Sequence, residues 1–330
     1  MIHARQAAWL LAGTASLAAA GYMAPARVSG RVTTPDARPL IGVAVAMVPQ
    51  DEDAVRPESA TIAPDGSFSF SDVPPGNYEI RARGQTGKDG PTLFGTFTLS
   101  VATRDIANVE VALREGGTLE GHLALRRARG VRPPPLSSLI VRAPLTDGSG
   151  FGDALTGRVT RGGSFAIRGL MAGTHYVLVE GLPDTWTIES VRLRARDVTG
   201  APFDVDERER FDDVRVVITD AMTRVDLHVA DRSGPAADAV VAVFAASPEL
   251  WIRGGGRVRF TRTDAAGNAA ITGLPSGAYL AAASRSIDER ATPLAHTLEP
   301  LRSAATAFSL AAGAGARLTL RLDESPAARE

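Results

Sequence analysis

The chain contains no cysteine, so no disulfide or thiolate metal site holds it together and every folded unit must rest on apolar burial. Lysine is almost missing as well: Lys88 is the lone one, and the remaining basic residues are arginine. A formal net charge of -1 gives no pull toward polyanions, which excludes a nucleic-acid partner recognised through a basic surface. Aromatic residues make up 5% of the chain and histidines number five, scattered rather than clustered. No G-x-S-x-G elbow and no phosphate-binding glycine loop occurs, so neither a nucleophilic triad nor a nucleotide site is supported. No cofactor is implied.

Long apolar runs are also absent. The one candidate, Ala7 to Gly21, falls short of the roughly 20 residues a membrane-crossing helix needs, so no stable transmembrane span is expected. Arg5 precedes it, no acidic residue appears before Asp36, and Ala18-x-Ala20 and Ala24-Pro25-Ala26 offer small-residue cleavage sites. Residues 1–26 therefore read as a signal peptide, with a truncated start or a short membrane anchor as the alternatives, and the first reading places the protein in the periplasm, the cell envelope or the medium.

What the chain does have is a repeat. Asp65-Gly66-Ser67-Phe68-Ser69-Phe70 leads through Val73-Pro74-Pro75-Gly76 to Tyr78-Glu79-Ile80. Gly163-Ser164-Phe165 leads likewise to Gly173, and Ala266-Gly267-Asn268 leads to Pro275-Ser276-Gly277-Ala278-Tyr279. The corner glycines Gly76, Gly173 and Gly277 recur at roughly 100 residues, the length of one β-sandwich domain. Each copy has a physical reading. The turn glycine tolerates positive φ, and alternation puts Phe68 and Phe70 on one face with Ser67, Ser69 and Ser71 on the other. Pro74 and Pro75 then lack the amide hydrogens a ladder needs, so the strand stops and the chain turns a corner before Tyr78, Ile80 and Ala82 resume the alternation. In the second copy His175, not Tyr176, occupies the tyrosine's spacing. Either a bulge shifts the register or a histidine replaces the tyrosine. In the third, Ala269 and Ala270 stand where phenylalanine is expected, which predicts a thinner core.

From Val28 to Gly84, Val28-Ser29-Gly30-Arg31-Val32, the turn at Arg38-Pro39-Leu40-Ile41-Gly42, and the Asp-Gly-x-Phe and Pro-Pro-Gly-x-Tyr strands together resemble the bacterial carboxypeptidase regulatory-like domain, a transthyretin-like (prealbumin-like) β-sandwich. Arg224 to Leu322 resembles it more weakly, through Asp231 to Pro235 and the corner at Gly273 to Tyr279. The stretch between is the most divergent. The resemblance implies a non-catalytic module, often carried by secreted or cell-envelope proteins and grouped with starch-binding-like sandwiches. The expected fold is all-β: three tandem prealbumin-like (Ig-like Greek-key) sandwiches at residues 27–115, 116–221 and 222–324, with a disordered tail at 325–330. Arg114 to Gly117 and Thr219 to Met222 would be short linkers, favouring a semi-rigid rod.

Three constellations compete for a functional role. His296-Thr297-Leu298-Glu299 has the H-x-x-E spacing of zinc carboxypeptidases, but no histidine follows it to complete the ligand set. Leu294, Leu298 and Leu301 instead form an amphipathic stripe that predicts a short helix with His296 off its buried side. Asp204, Asp206, Glu207, Glu209, Asp212 and Asp213 crowd one segment without the central glycine of a calcium loop, and read as a solvated turn. Trp186 and Trp251 lie near corners, where an aromatic face could stack on a sugar or pack between domains. Lys88 sits between Gly87 and Asp89 in a loop, which disfavours an isopeptide cross-link. The function expected is thus non-catalytic: adhesion, spacing or ligand presentation, with an envelope protein or glycan as partner. The alternatives are a carbohydrate-binding accessory protein using Trp186 or Trp251, and a degenerate metallo-hydrolase around His296 and Glu299.

Export has a direct check. Expressed in a bacterial host, the mature protein should begin between Gly21 and Arg27 when its N-terminus is read by mass spectrometry. A cytoplasmic product retaining Met1 contradicts the signal-peptide assignment.

Overall fold

The computed structural model describes residues 25–34, 36, 39–50, 58–63, 65–87, 90–147, 151, 155–290 and 294–323, and the chain is all-β apart from short helical turns. Most of the signal-peptide assignment, Lys88 and the 325–330 tail lie outside these residues. Ala26, placed in the leader by its spacing, opens the first strand, Ala26–Thr33, and is 1% exposed opposite Val73.

In the first unit that strand lies between Ser67–Val73, antiparallel, and Ile106–Ala112, parallel. A second sheet runs in the order Glu58–Ser59, Ile41–Pro49, Gly76–Gln85, Thr92–Val101 and Arg114–Glu115. Phe68 and Phe70 point between the sheets and meet edge to face at 5.9 Å, against Ile80, Ala82 and Leu113. The strand ends at Val73 and resumes at Gly76, as the two prolines require.

The same three-strand arrangement recurs twice. Gly117–Arg126 lies between antiparallel Ser164–Leu170 and parallel Arg210–Thr219, and Arg224–Asp231 between antiparallel Asn268–Thr272 and parallel Gly315–Asp323. Each has its own apolar cluster, and the three clusters share no residue. The hairpin heads also repeat: Gly66, Gly163 and Gly267, at φ of 82°, 93° and 74°, each donate a backbone hydrogen bond three residues back, to Ala63, Thr160 and Asp264.

The third core is not thinned by its alanines. In the first unit Gly30 faces Phe68, and a Cβ on Gly30 would lie 2.0 Å from the Val109 carbonyl and 2.8 Å from the phenylalanine ring. Gly121 faces Phe165 with the same 2.0 Å approach to Val214. Both parallel pairings carry an irregularity beside that glycine. In the third unit Leu227 faces Ala269 and the parallel pairing runs without a break. The bulk that phenylalanine supplies in the first two units comes there from the opposite strand, with Leu227 2% exposed. Two small residues therefore coexist with a packed interior, because core volume rather than residue identity is what must be kept.

The third unit also buries the outer face of its second sheet. Val240–Ala245 is buried at every position. Val240, Ala242 and Phe244 pack under Ile287, Leu294 and Leu298, the last two from the helix Leu294–Leu298. The leucine stripe faces inward as its periodicity predicts, and His296 is exposed.

Truncating Phe68 to alanine should destabilise the first unit by about 3–5 kcal/mol, and Leu227→Ala the third by about 2–5 kcal/mol, because neither small opposing residue can fill the cavity. Denaturant unfolding of the full chain measures both. An unchanged midpoint for Leu227→Ala would refute the exchange of volume between strands.

Candidate interaction surface

The corners come first, since they fix where loops and faces point. Tyr78 donates its hydroxyl to the Pro74 carbonyl at 2.9 Å and Tyr279 to Pro275 at 2.7 Å. In the second unit the Nε2 of His175 lies 2.8 Å from the Met171 carbonyl, the same four residues back. The histidine takes the tyrosine's place and no bulge intervenes. Its Nδ1 lies 2.7 Å from the Ala143 carbonyl, and the ring is 3% exposed. Burial pushes the Tyr279 hydroxyl above its ordinary range, which keeps it a donor.

Both tryptophans pack against apolar clusters. Trp186 is 3% exposed within the second core and donates Nε1–H to the Arg132 carbonyl at 3.2 Å, so it has no face to offer a sugar. Trp251 is half-buried against Phe244 at 5.6 Å, donates to the Ala245 carbonyl, and is covered by the Arg302 guanidinium 6.0 Å from its ring centre. Arg302 in turn holds Glu299 at 3.0 Å, so the carboxylate of the H-x-x-E spacing is paired with an arginine. The acidic segment is likewise engaged: Asp204 accepts from Thr174, Glu209 pairs with Arg194, Asp213 with Arg215 and Glu207 with Arg114. Among the described residues no three His, Asp or Glu side chains converge on a metal-sized site.

The outer face of the first sheet presents a polar surface. Arg27, Ser29, Arg31 and Thr33 from the first strand, Ser67 and Ser69 from the second, and Asn108 and Glu110 from the last line a trough of about 700 Å³. Arg31 pairs with Asp65 at 2.8 Å, and Thr33 donates to Glu110 at 3.0 Å. The Ser67 hydroxyl and amide hold the Asp65 carboxyl below its ordinary range. Hydroxyls, guanidinium and carboxylate together can hydrogen-bond a polar ligand.

Two further groups carry no local sequence signal. Arg81 follows an inward Ile80 and should face water, yet it is 8% exposed. Its Nε meets Glu79 at 2.6 Å and its Nη1 meets Asp147 of the second unit at 2.5 Å. Beside it Phe94 packs on Leu145 and Met171. The second group is Asp220, at the expected linker between second and third units and 1% exposed. Its carboxylate accepts backbone hydrogen bonds from Ala128, Arg129 and Val131 at 2.5, 3.0 and 3.0 Å. Burial opposes its ionisation, but these three amides outweigh burial and hold its carboxyl below the usual range. Nearby, Thr187 donates to the Gly273 carbonyl, Arg257 to Thr199 and Tyr176 to Arg253, all between the second and third units. The stretch expected to link the first two units is also structured: Arg114–Glu115 pairs with Phe94 and Leu93.

Because Asp220 ionises more readily folded than unfolded, its stabilisation is fully present above the ordinary aspartate value of about 3.9 and is lost as pH falls through its lower folded value. Asp220→Asn should therefore melt below the parent at pH 7, with the gap closing only in strong acid. Equal melting temperatures at pH 7 would remove the carboxylate from the junction's energetics.

Among solved structures, the Bacillus anthracis TIE protein aligns over 90% of this chain and 51% of its own, at 12% identity and a TM-score of 0.23, so the chain spans about half of that protein's length. The minor pilin GBS52 of Streptococcus agalactiae aligns over 59% of this chain and 95% of its own, at 13% identity and 0.28. The major pilin subunit of Bacillus cereus covers 91% and 99%, at 11% and 0.25. No curated protein sequence matches the chain. Residues 27–114 match the family model of the carboxypeptidase regulatory-like domain, and over this first unit the chain is similar to that family, with the turn at Gly66, the inward Phe68 and Phe70, and the corner from Pro75 and Gly76 to Tyr78 in place.

Proposed function

We propose that the protein is an exported, non-catalytic array of three β-sandwich domains, at residues 27–115, 116–221 and 222–324, that spaces or presents a binding surface at the cell envelope. The observation that carries this reading is the pair of side-chain locks at successive junctions. Arg81 bridges the first two units through Asp147, and Asp220 gathers the amides of the 128–131 turn where the second unit passes into the third. Junctions of this kind suit a protein whose task is to hold one end at a set distance and orientation from the other, since domains joined only by linkers move by default. The matched family and the signal-like N-terminus support export and a non-catalytic role. A glycan partner would meet the serine-lined trough of the first unit rather than Trp186 or Trp251.

The reading predicts that Arg81→Ala frees the first unit from the second while leaving both folded. Small-angle scattering should show a compact, well-defined maximum dimension for the parent and a broader distance distribution for the variant. A parent as broad as the variant would sink the rigid-array reading. For the trough, Arg31→Ala should abolish any glycan-array signal that the parent gives.

A further inference from the structure

The second sheet of the first unit ends on a strand that lacks a neighbour. Thr92–Val101 pairs along its whole length with Gly76–Gln85. On its other side only Leu93 and Phe94 are paired, with Glu115 and Arg114. From Thr96 onward, among the described residues, no strand and no loop hydrogen bond occupies that edge. Thr96, Phe97 and Thr98 are consecutively exposed, and Phe97 is 39% exposed, one of two large apolar side chains so placed among the described residues.

Soluble sheets blunt such edges with charge, proline or a bulge. The adjacent edge of the first sheet, Ile106–Ala112, follows that rule. It carries Glu110, and its register slips at Asn108, where φ is 61°. The Thr96–Val101 edge has none of these devices: it holds no charge and no proline, and its register with the neighbouring strand is unbroken. The position matching Phe97 in the third unit is Thr306, so that unit carries no exposed ring there.

We propose that this edge is a self-association site, where Thr96–Ser100 of one copy pairs antiparallel with Thr96–Ser100 of a second copy about a two-fold axis at Thr98. The inference goes beyond the spacer reading and does not depend on it. Unpaired strand amides and carbonyls call for an extended strand as partner. A strand without charge meets its own copy with no like-charge penalty, and a two-fold contact is self-complementary by construction. In this register Phe97 of each copy faces Leu99 of the other, and Thr96 faces Ser100. Each face thus pairs aromatic with aliphatic, or hydroxyl with hydroxyl.

Analytical ultracentrifugation of the full chain should show a reversible monomer–dimer equilibrium. Phe97→Lys and Thr98→Lys should each raise the dissociation constant by about tenfold or more, with unchanged far-ultraviolet circular dichroism. Because the chain has no cysteine, the register can be read covalently. Opposed strand residues lie about 4.5–5.5 Å apart at Cα, within disulfide reach. Thr98→Cys should therefore give an oxidised dimer, Thr96→Cys alone should not, and Thr96→Cys combined with Ser100→Cys should. A parent that stays monomeric up to about 1 mM, a dimer indifferent to both lysine variants, or cross-linking by Thr96→Cys as efficient as by Thr98→Cys overturns the proposal.

Discussion

A chain that leaves one sheet of a sandwich for the other must bend where ladder bonds end, and the bend leaves a carbonyl without a strand partner. In all three units a side chain four residues ahead reaches back to that carbonyl: Tyr78 to Pro74, His175 to Met171 and Tyr279 to Pro275. The bond depends on a residue with positive φ just before it, supplied by Asp72, Gly169 and Gly273. With turn and carbonyl both satisfied, the second strand enters the opposite sheet in the register that sends Ile80, or its counterpart Ala281, into the core. Tyrosine suits this role because its ring packs while its hydroxyl reaches a partner. The imidazole of the second unit does the same and adds a contact to Ala143, tying the corner to the segment whose Leu145 packs against Phe94 of the first unit.

That tie shows how one unit's interior is coupled to the next. Alternation along Gly76–Gln85 should leave Arg81 in water, but the second unit covers that face and Asp147 is brought to it. A buried guanidinium is costly to leave half-satisfied, so Arg81 of the first unit depends on Asp147 of the second as well as on its own Glu79. Asp220 follows the same logic with backbone amides as its partners.

Features set by neighbours along the chain are legible in the sequence itself. The turn at Asp65 and Gly66, the inward Phe68 and Phe70, the corner at Pro74 to Gly76 and the buried leucine stripe at Leu294 and Leu298 all follow from local propensity and period. What escapes such a reading depends on pairing across long separations. The spacing of His175 leaves two arrangements open, and only its contact with Met171 decides between them. Leu227 compensates for Ala269 from a strand about 40 residues away, a relation visible only in the register of the sheet. The junction groups Arg81 and Asp220 carry no signal of their own, since a surface arginine and a linker aspartate look alike wherever they fall. Trp186 illustrates the converse: its place near a corner suggests a platform, while its bulk suits the core where it lies.

The units also differ in how they end their sheets, and the difference orders them. In the second, Thr187–Leu193 pairs with Arg210–Thr219, so the strand that closes the unit is interior to its sheet. In the third, Gly315–Asp323 touches strands of both sheets and joins them. In the first, the closing strand Ile106–Ala112 has a neighbour on one side only and is protected by its bulge and its glutamate. Natural sheets guard their edges against association, and this guarded edge lies beside the uncharged Thr96–Val101 strand of the same sandwich. The unit with the clearest family pattern is therefore also the one that leaves an uncharged edge open, while the closing strands of the other two units have a neighbour on each side.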